Sequence, residues 1–289
     1  VISDMTRELR RIYDTGVLKE TFDEVYFANY HNLRNHAFTK KYISFFCPQY
    51  AIKLLLSGKV IKEYTDIYFW NPDELIYHYL RYLNVNKKNY SLHLYADALG
   101  GLTTNVPIET KRYSSNILNA LDKFIFKYDT ISKMKYDYYL FSPQYYIGER
   151  DRELVHIPEI NCNDVNIVKY LNKVFGYENK NIKQKFIFLD GAKDGFIDED
   201  ENRKIILAMI EIVGSENFAI KPHPRTDLNY YSDMGIDIIS PSIPWELYCL
   251  NTAIENKVII TYCSAAAVMP AILYGKRMKV ITISIRLKE

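Results

Sequence analysis

Short apolar, strand-like runs alternate with helix-length segments along almost the whole chain, and this alternation restricts the fold more than any other feature. It is the signature of α/β layers. In the second half "KFIFLDG" reads as a strand. "DEDENRKIILAMIEIVG" reads as a helix, with Ile206, Met209, Ile210 and Val213 on the 3.6-residue period, acids in the first turn and Gly214 after the last. "NFAIKPHP" is a strand and loop, and "DIIS" and "WELYCLNTA" follow it. "KVIITYCSAAAVMPAILYG" reads as strand, tight turn and helix, and "KVITISI" as a last strand.

The first half shows the same rhythm. A helix in "DMTRELRRIYDTGVL" is expected to end near Gly16, and "EVYFAN" to be a strand. Helical signal to Gly58 is followed by the strand "DIYFWN" and the helix "PDELIYHYLRYLN". "YSLHLYAD" is a strand, "SSNILNALDKFIFKY" a helix and "YDYYLFSP" a strand. A polar, Lys- and Asn-rich stretch with one short amphipathic helix separates the halves. The expected organisation is an N-terminal domain over 1–152, a linker over 153–184 and a C-terminal domain over 185–289. Each domain is expected to be Rossmann-like and doubly wound, and the pair to face a central cleft, the architecture termed GT-B. The chain opens on a helix and ends just after a strand.

Charge narrows the partners. The 289 residues carry 37 basic and 35 acidic side chains, a formal charge of +2, which argues against nucleic acid as the main partner. The four cysteines, Cys47, Cys162, Cys249 and Cys263, show no CxxC spacing, and a reducing cytoplasm is the simple expectation. No apolar run is long enough to span a membrane, and "VISDMTRELRR" has no apolar h-region, so no secretory leader is expected in that stretch.

Ligands of open α/β sheets sit outside the carboxyl ends of the strands, where three segments of the second half fall. In "AIKPHPRTD" two prolines restrain His223, and Lys221 and Arg225 flank it. Such a histidine would favour a bound anion and could protonate a departing phosphate oxygen. The plainer alternative is a loop histidine in a turn. In "ISPSIPWELYC" Ser240, Ser242 and Glu246 offer hydroxyls and a carboxylate able to bind a ribose. Equally, Glu246 is a first-turn acid after Pro244. In "ITYCSAAAVMP" a helix expected near Ser264 would present free N–H groups and a hydroxyl to a phosphate, with Cys263 adjacent. The plainer alternative is that Ser264 only caps the helix.

In the first half Asp97 ends the strand of "LHLYADALGG" and could take a proton from an attacking hydroxyl, or it caps the turn at Gly100-Gly101. No metal site is expected. Asp198 to Glu201 contains an Asp-x-Asp, but it opens an amphipathic helix whose dipole it complements. His31 and His36 lack the i, i+4 spacing of helical ligands.

The order of these pieces resembles the bacterial sialyltransferases of glycosyltransferase family 52, the lipooligosaccharide type, and the related capsule sialyl- and polysialyltransferases. Their acidic–acidic–Gly motif corresponds to Ala96-Asp97-Ala98, their His-Pro motif to His223-Pro224, and their Ser-Ser/Thr motif to Cys263-Ser264 or Ser264-Ala265. "IPWEL" falls between the last two. The first acid and the Gly of the acidic motif are Ala here, and the serine pair is reduced to one Ser. Set against that family, whose first domains begin with a strand and whose second domains end with a helix, the resemblance implies a first domain without its first strand and a second without its closing helix.

The resemblance implies a metal-independent inverting transferase that moves sialic acid from CMP-sialic acid to a galactose hydroxyl of a capsule or lipooligosaccharide glycan. Asp97 would be the base and His223 the leaving-group acid. Lys221, Pro224, Ser240, Ser242, Glu246, Cys263 and Ser264 would hold the donor. No cofactor is implied. The enzyme would work in the cytoplasm at the inner face of the membrane, with peripheral attachment and a homodimer as further expectations. Two rivals remain at this point: a CDP-glycerol glycerophosphotransferase of teichoic acid synthesis, and a catalytically silent nucleotide-sugar-binding partner in capsule assembly.

Overall fold

The computed structural model describes residues 15–26, 28–29, 43–60, 62–70, 74–95, 102, 120, 123–125, 135–148, 152–178, 181–191, 197–224, 226–262 and 264–283. Asp97, Cys263 and Arg225, together with His31 and His36, lie outside them. The chain forms two compact units, Lys19–Pro158 and Glu159–Glu289, with Arg11–Leu18 counted in the second.

Helix α1 spans Thr15–Thr21 and runs through Gly16 instead of stopping there; its Val17 and Leu18 are buried, so the helix persists over its apolar face. The described residues of "EVYFAN" form no strand. Helix α2 (Pro48–Leu55) begins with Pro in its first turn and buries Ala51, Ile52 and Leu55. Strand β1 (Asp66–Phe69), helix α3 (Glu74–Val85), and strands β2 (Ser91–Tyr95), β3 (Asp137–Leu140) and β4 (Leu154–His156) complete the first unit's regular core. The four strands form a parallel sheet in chain order, β1-β2-β3-β4. Ile67, Phe69, Leu92, Leu94, Tyr138 and Leu140 are buried in it. Strand β4 falls inside the polar stretch read as linker. It escapes the strand pattern because its residues are only half-buried or exposed at the sheet edge.

The second unit follows with α4 (Val165–Val174), β5 (Phe186–Leu189), α5 (Glu199–Val213), β6 (Phe218–Lys221), β7 (Asp237–Ile238), α6 (Trp245–Asn251), β8 (Val258–Thr261), α7 (Met269–Tyr274) and β9 (Lys279–Thr282). Its five strands are all parallel, in the order β7-β6-β5-β8-β9. The first strand of the unit is central and the order reverses between β5 and β8, the doubly wound pattern.

Alternation along these strands feeds two cores, because successive side chains point to opposite faces. Phe188, Phe218, Ile220 and Ile260 meet Ile206 of α5 on one face. Ile187, Leu189, Ala219 and Ile259 meet Trp245, Tyr248 and Cys249 of α6 on the other. Both faces are therefore covered, and β6 and β8 are buried along their whole length. Among the described residues no helix is long and apolar enough to cross a membrane.

Candidate functional site

Parallel strands bring their carboxyl ends to one edge, and the register fixes how level they are. Leu189 lies beside Lys221 on one side and Thr261 on the other, and Ile220 lies beside Ile238. His223, Ser240 and Ser264 each follow the last residue of β6, β7 or β8 by no more than three positions. All three segments named from the sequence thus leave the same edge. Strands β6 and β8 are each one strand from β5, so their ends stand about 10 Å apart.

His223 is half-buried and Pro224 exposed. The carbonyl of His223 accepts the Thr226 N–H at 2.9 Å, which closes a turn behind the imidazole. Lys221, the last residue of β6, is only 6% exposed. Its ammonium donates to the carbonyl oxygens of Pro222 and Pro241, both at 3.4 Å. Burial pulls its pKa down to about 8, while Glu246 pulls it back up. Glu246, in the first turn of α6, is pushed up by the same desolvation, against the backbone and the Lys221 charge, which lower it. The hydroxyls of Ser240 and Ser242 are hydrogen-bonded to each other at 2.8 Å.

The Ser264 region differs from the expectation. No α-helix starts there. Ser264 caps a 3-10 turn, Ala265–Ala267, and α7 begins only at Met269, with Pro270 behind it. The Ser264 Oγ accepts the Ala266 N–H at 3.3 Å, its carbonyl accepts the Ala267 N–H at 3.1 Å, and Ala265 accepts from Val268 at 3.0 Å. Those N–H groups are spent inside the turn, and a six-residue helix displaced to Met269 offers no dipole at Ser264. What Ser264 retains is its hydroxyl proton, since capping uses only a lone pair. Its own N–H donates to Thr261 Oγ1 at 3.0 Å, which fastens the turn to the end of β8.

The Asp-x-Asp segment is accounted for locally. Asp198 accepts the Glu201 N–H at 2.8 Å as the N-cap of α5, and Glu199, Asp200 and Glu201 occupy its first turn. Among the described residues no group of three potential ligands forms a metal site.

Two polar clusters escape a reading of the sequence. At the end of β5, Asp190 accepts a short hydrogen bond from the Tyr231 hydroxyl and a 3.5 Å contact from the Asn202 amide. The Tyr262 hydroxyl donates to Asn202 at 2.8 Å. This network sits where the strand order reverses, the usual crevice of such sheets. The dipeptide Asp190-Gly191 right after an apolar strand was the available signal. In the first unit His93 is buried in β2 between Asp66 and Asp137, each 3.3 Å from a ring nitrogen, and stacks on Tyr68 at 4.3 Å. Only the Asp66 contact has hydrogen-bond geometry. Nothing in the sequence announces it, because its three members come from three strands.

Chemically, the carboxyl edge of the second sheet combines a half-buried imidazole, a buried ammonium, a pair of linked hydroxyls, a carboxylate and one more hydroxyl. Such a set suits an anionic, hydroxyl-bearing ligand. The fold and the site together define the class of an α/β protein with two parallel sheets and a polar edge at the switch-point side of the second. Comparison of the chain with known protein families, with curated proteins and with solved structures gave no match.

Proposed function

We propose that this chain is a glycosyltransferase of GT-B architecture that takes its sugar from a CMP-linked donor, with sialic acid as the sugar and a galactose-type hydroxyl of a bacterial surface glycan as the acceptor. One observation carries the reading: His223, the Ser240–Glu246 segment and Ser264 leave the carboxyl ends of β6, β7 and β8 on one edge of one parallel sheet. In the reaction the acceptor oxygen attacks the anomeric carbon and its proton passes to Asp97. The bond from that carbon to the phosphate oxygen breaks with inversion, and the electron pair leaves with CMP. His223 gives the departing oxygen a proton. The Ser264 hydroxyl donates to the phosphate and Glu246 accepts from the ribose. A donor with one phosphate develops a single leaving-group charge, which the chain's own cations can meet.

The test is a donor screen that follows CMP release, with a galactose-terminated acceptor present. Wild-type protein is expected to release CMP from CMP-sialic acid. His223→Ala is expected to lower kcat by about 10²–10⁴-fold with an unchanged melting curve. Near-normal transfer by that variant would sink the assignment of the acid. Turnover of CDP-glycerol instead would make the protein a glycerophosphotransferase. CMP binding without turnover of either donor would make it a silent binding partner.

A further inference from the structure

Lys221 stands apart from the other residues of the edge. Among the described residues it is the buried cationic side chain of the set, and its ammonium donates to backbone carbonyls. The two carbonyls it meets belong to different loops. Pro222 precedes His223 in the loop after β6, and Pro241 separates Ser240 from Ser242 in the loop after β7. The distances are 3.4 Å to each. Strands β6 and β7 are neighbours in the sheet, so their loops start side by side and one side chain can reach both.

We propose that Lys221 is a positioning residue, whose buried ammonium clips the His223 loop to the Ser240–Ser242 loop and so holds the two walls of the phosphate site in register. This deepens the transferase reading and rests on it for the ligand. Removing the ammonium leaves two carbonyl oxygens without that donor under the site. The Pro222–His223 and Pro241–Ser242 peptides are then free to turn, and the imidazole and the linked hydroxyls no longer face one phosphate together. The clip also explains a costly choice of residue: a lysine at the end of a buried strand is desolvated, and an apolar residue there would pack without that cost.

The experiment compares wild type with Lys221→Met in two measurements. In the unliganded protein, amide hydrogen exchange is expected to rise in both 222–226 and 239–244, with the Thr226 amide as the marker, and to stay unchanged in β5 and β8. Loosening of one loop alone, or of neither, overturns the clip whatever the protein binds. In the second measurement, calorimetry with CMP and cytidine is expected to show at least a tenfold loss for CMP and none for cytidine. Equal loss for both overturns a role specific to the phosphate walls. A wild type that binds no CMP overturns the transferase reading, while the exchange result still decides the clip. Should Lys221→Met not fold, Lys221→Gln is read in its place. It keeps a donor without the charge, and it is expected to show an intermediate rise in exchange in both loops.

Discussion

At the scale of the residue, Lys221 shows what burial costs a charged side chain. Free lysine titrates at 10.5, and burial brings this side chain down to about 8. The charged form is therefore disfavoured in the folded state by about 3 kcal/mol. Below pH 8 both folded and unfolded chains hold the proton and the full cost is present. Between about 8 and 10.5 the unfolded chain binds the proton more tightly, so stability rises with pH across that window. Glu246 acts in the opposite sense: its raised pKa means that the folded state holds its proton longer, and stability falls as pH climbs above 4.5. The raised pKa values of the buried Cys249 thiol and of Tyr231 lower the stability of both proteins as pH climbs past 9, so the Lys221 contribution is read as a difference: the urea midpoint of the wild type is expected to gain on that of Lys221→Met from pH 8 to pH 10. A difference that does not change with pH would mean that the ammonium is solvated.

Single residues were also where the sequence was most informative. Pro-His-Pro after an apolar run is a local signal, and local signals survive folding. Ser264 shows the limit of that kind of reading. The sequence places a small polar residue between a strand and a helix, which suits a cap in any geometry. Whether an α-helix or a 3-10 turn follows depends on how Ala266 and Ala267 pack into the core with Ile259 and Trp245, and periodicity does not encode that. Lys221 shows the converse limit. Its charge was read as facing a ligand, whereas one of the two carbonyls that hold it, that of Pro241, lies 20 residues further along the chain.

At the scale of the element, helix α5 was fully legible, and the reasons are physical. Asp198 caps it, three acids fill its positive end, Ile206 anchors the apolar stripe and Gly214 ends it at a φ of 83°. Strand β4 was not legible, because a half-buried edge strand has no apolar alternation to show. The cap gives a direct test of the Asp-x-Asp. Asp198→Ala is expected to cost about 1 kcal/mol in stability, the usual value of an N-cap. It is expected to leave CMP binding within twofold of wild type, with or without added magnesium. A loss of CMP affinity restored by metal would transfer Asp198 from the cap to the ligand site.

At the scale of the whole molecule, what the sequence could not supply was strand order. Alternating strands and helices predict parallel sheets, yet the first sheet runs in chain order while the second reverses around β5. Pairing order depends on which apolar faces meet across long separations, and a linear pattern carries no record of that. The difference matters for binding, because a crevice opens where neighbouring crossovers leave a sheet in opposite directions. Among the described strands only the second sheet has such a point, between β5 and β8; the Ser264 and His223 loops leave β8 and β6, the strands on either side of β5, and the Ser240 loop leaves β7, one strand further out. The nearly balanced net charge adds no long-range attraction, so an anion must be held by these local groups. Hydrogen exchange with and without CMP therefore has a defined expected map. Protection should appear in 222–226, 240–246 and 262–267, and the carboxyl ends of β1, β2 and β3 should exchange as in the free protein. Protection at those first-sheet ends instead would move the nucleotide to the other unit and return the second sheet's polar edge to a structural role.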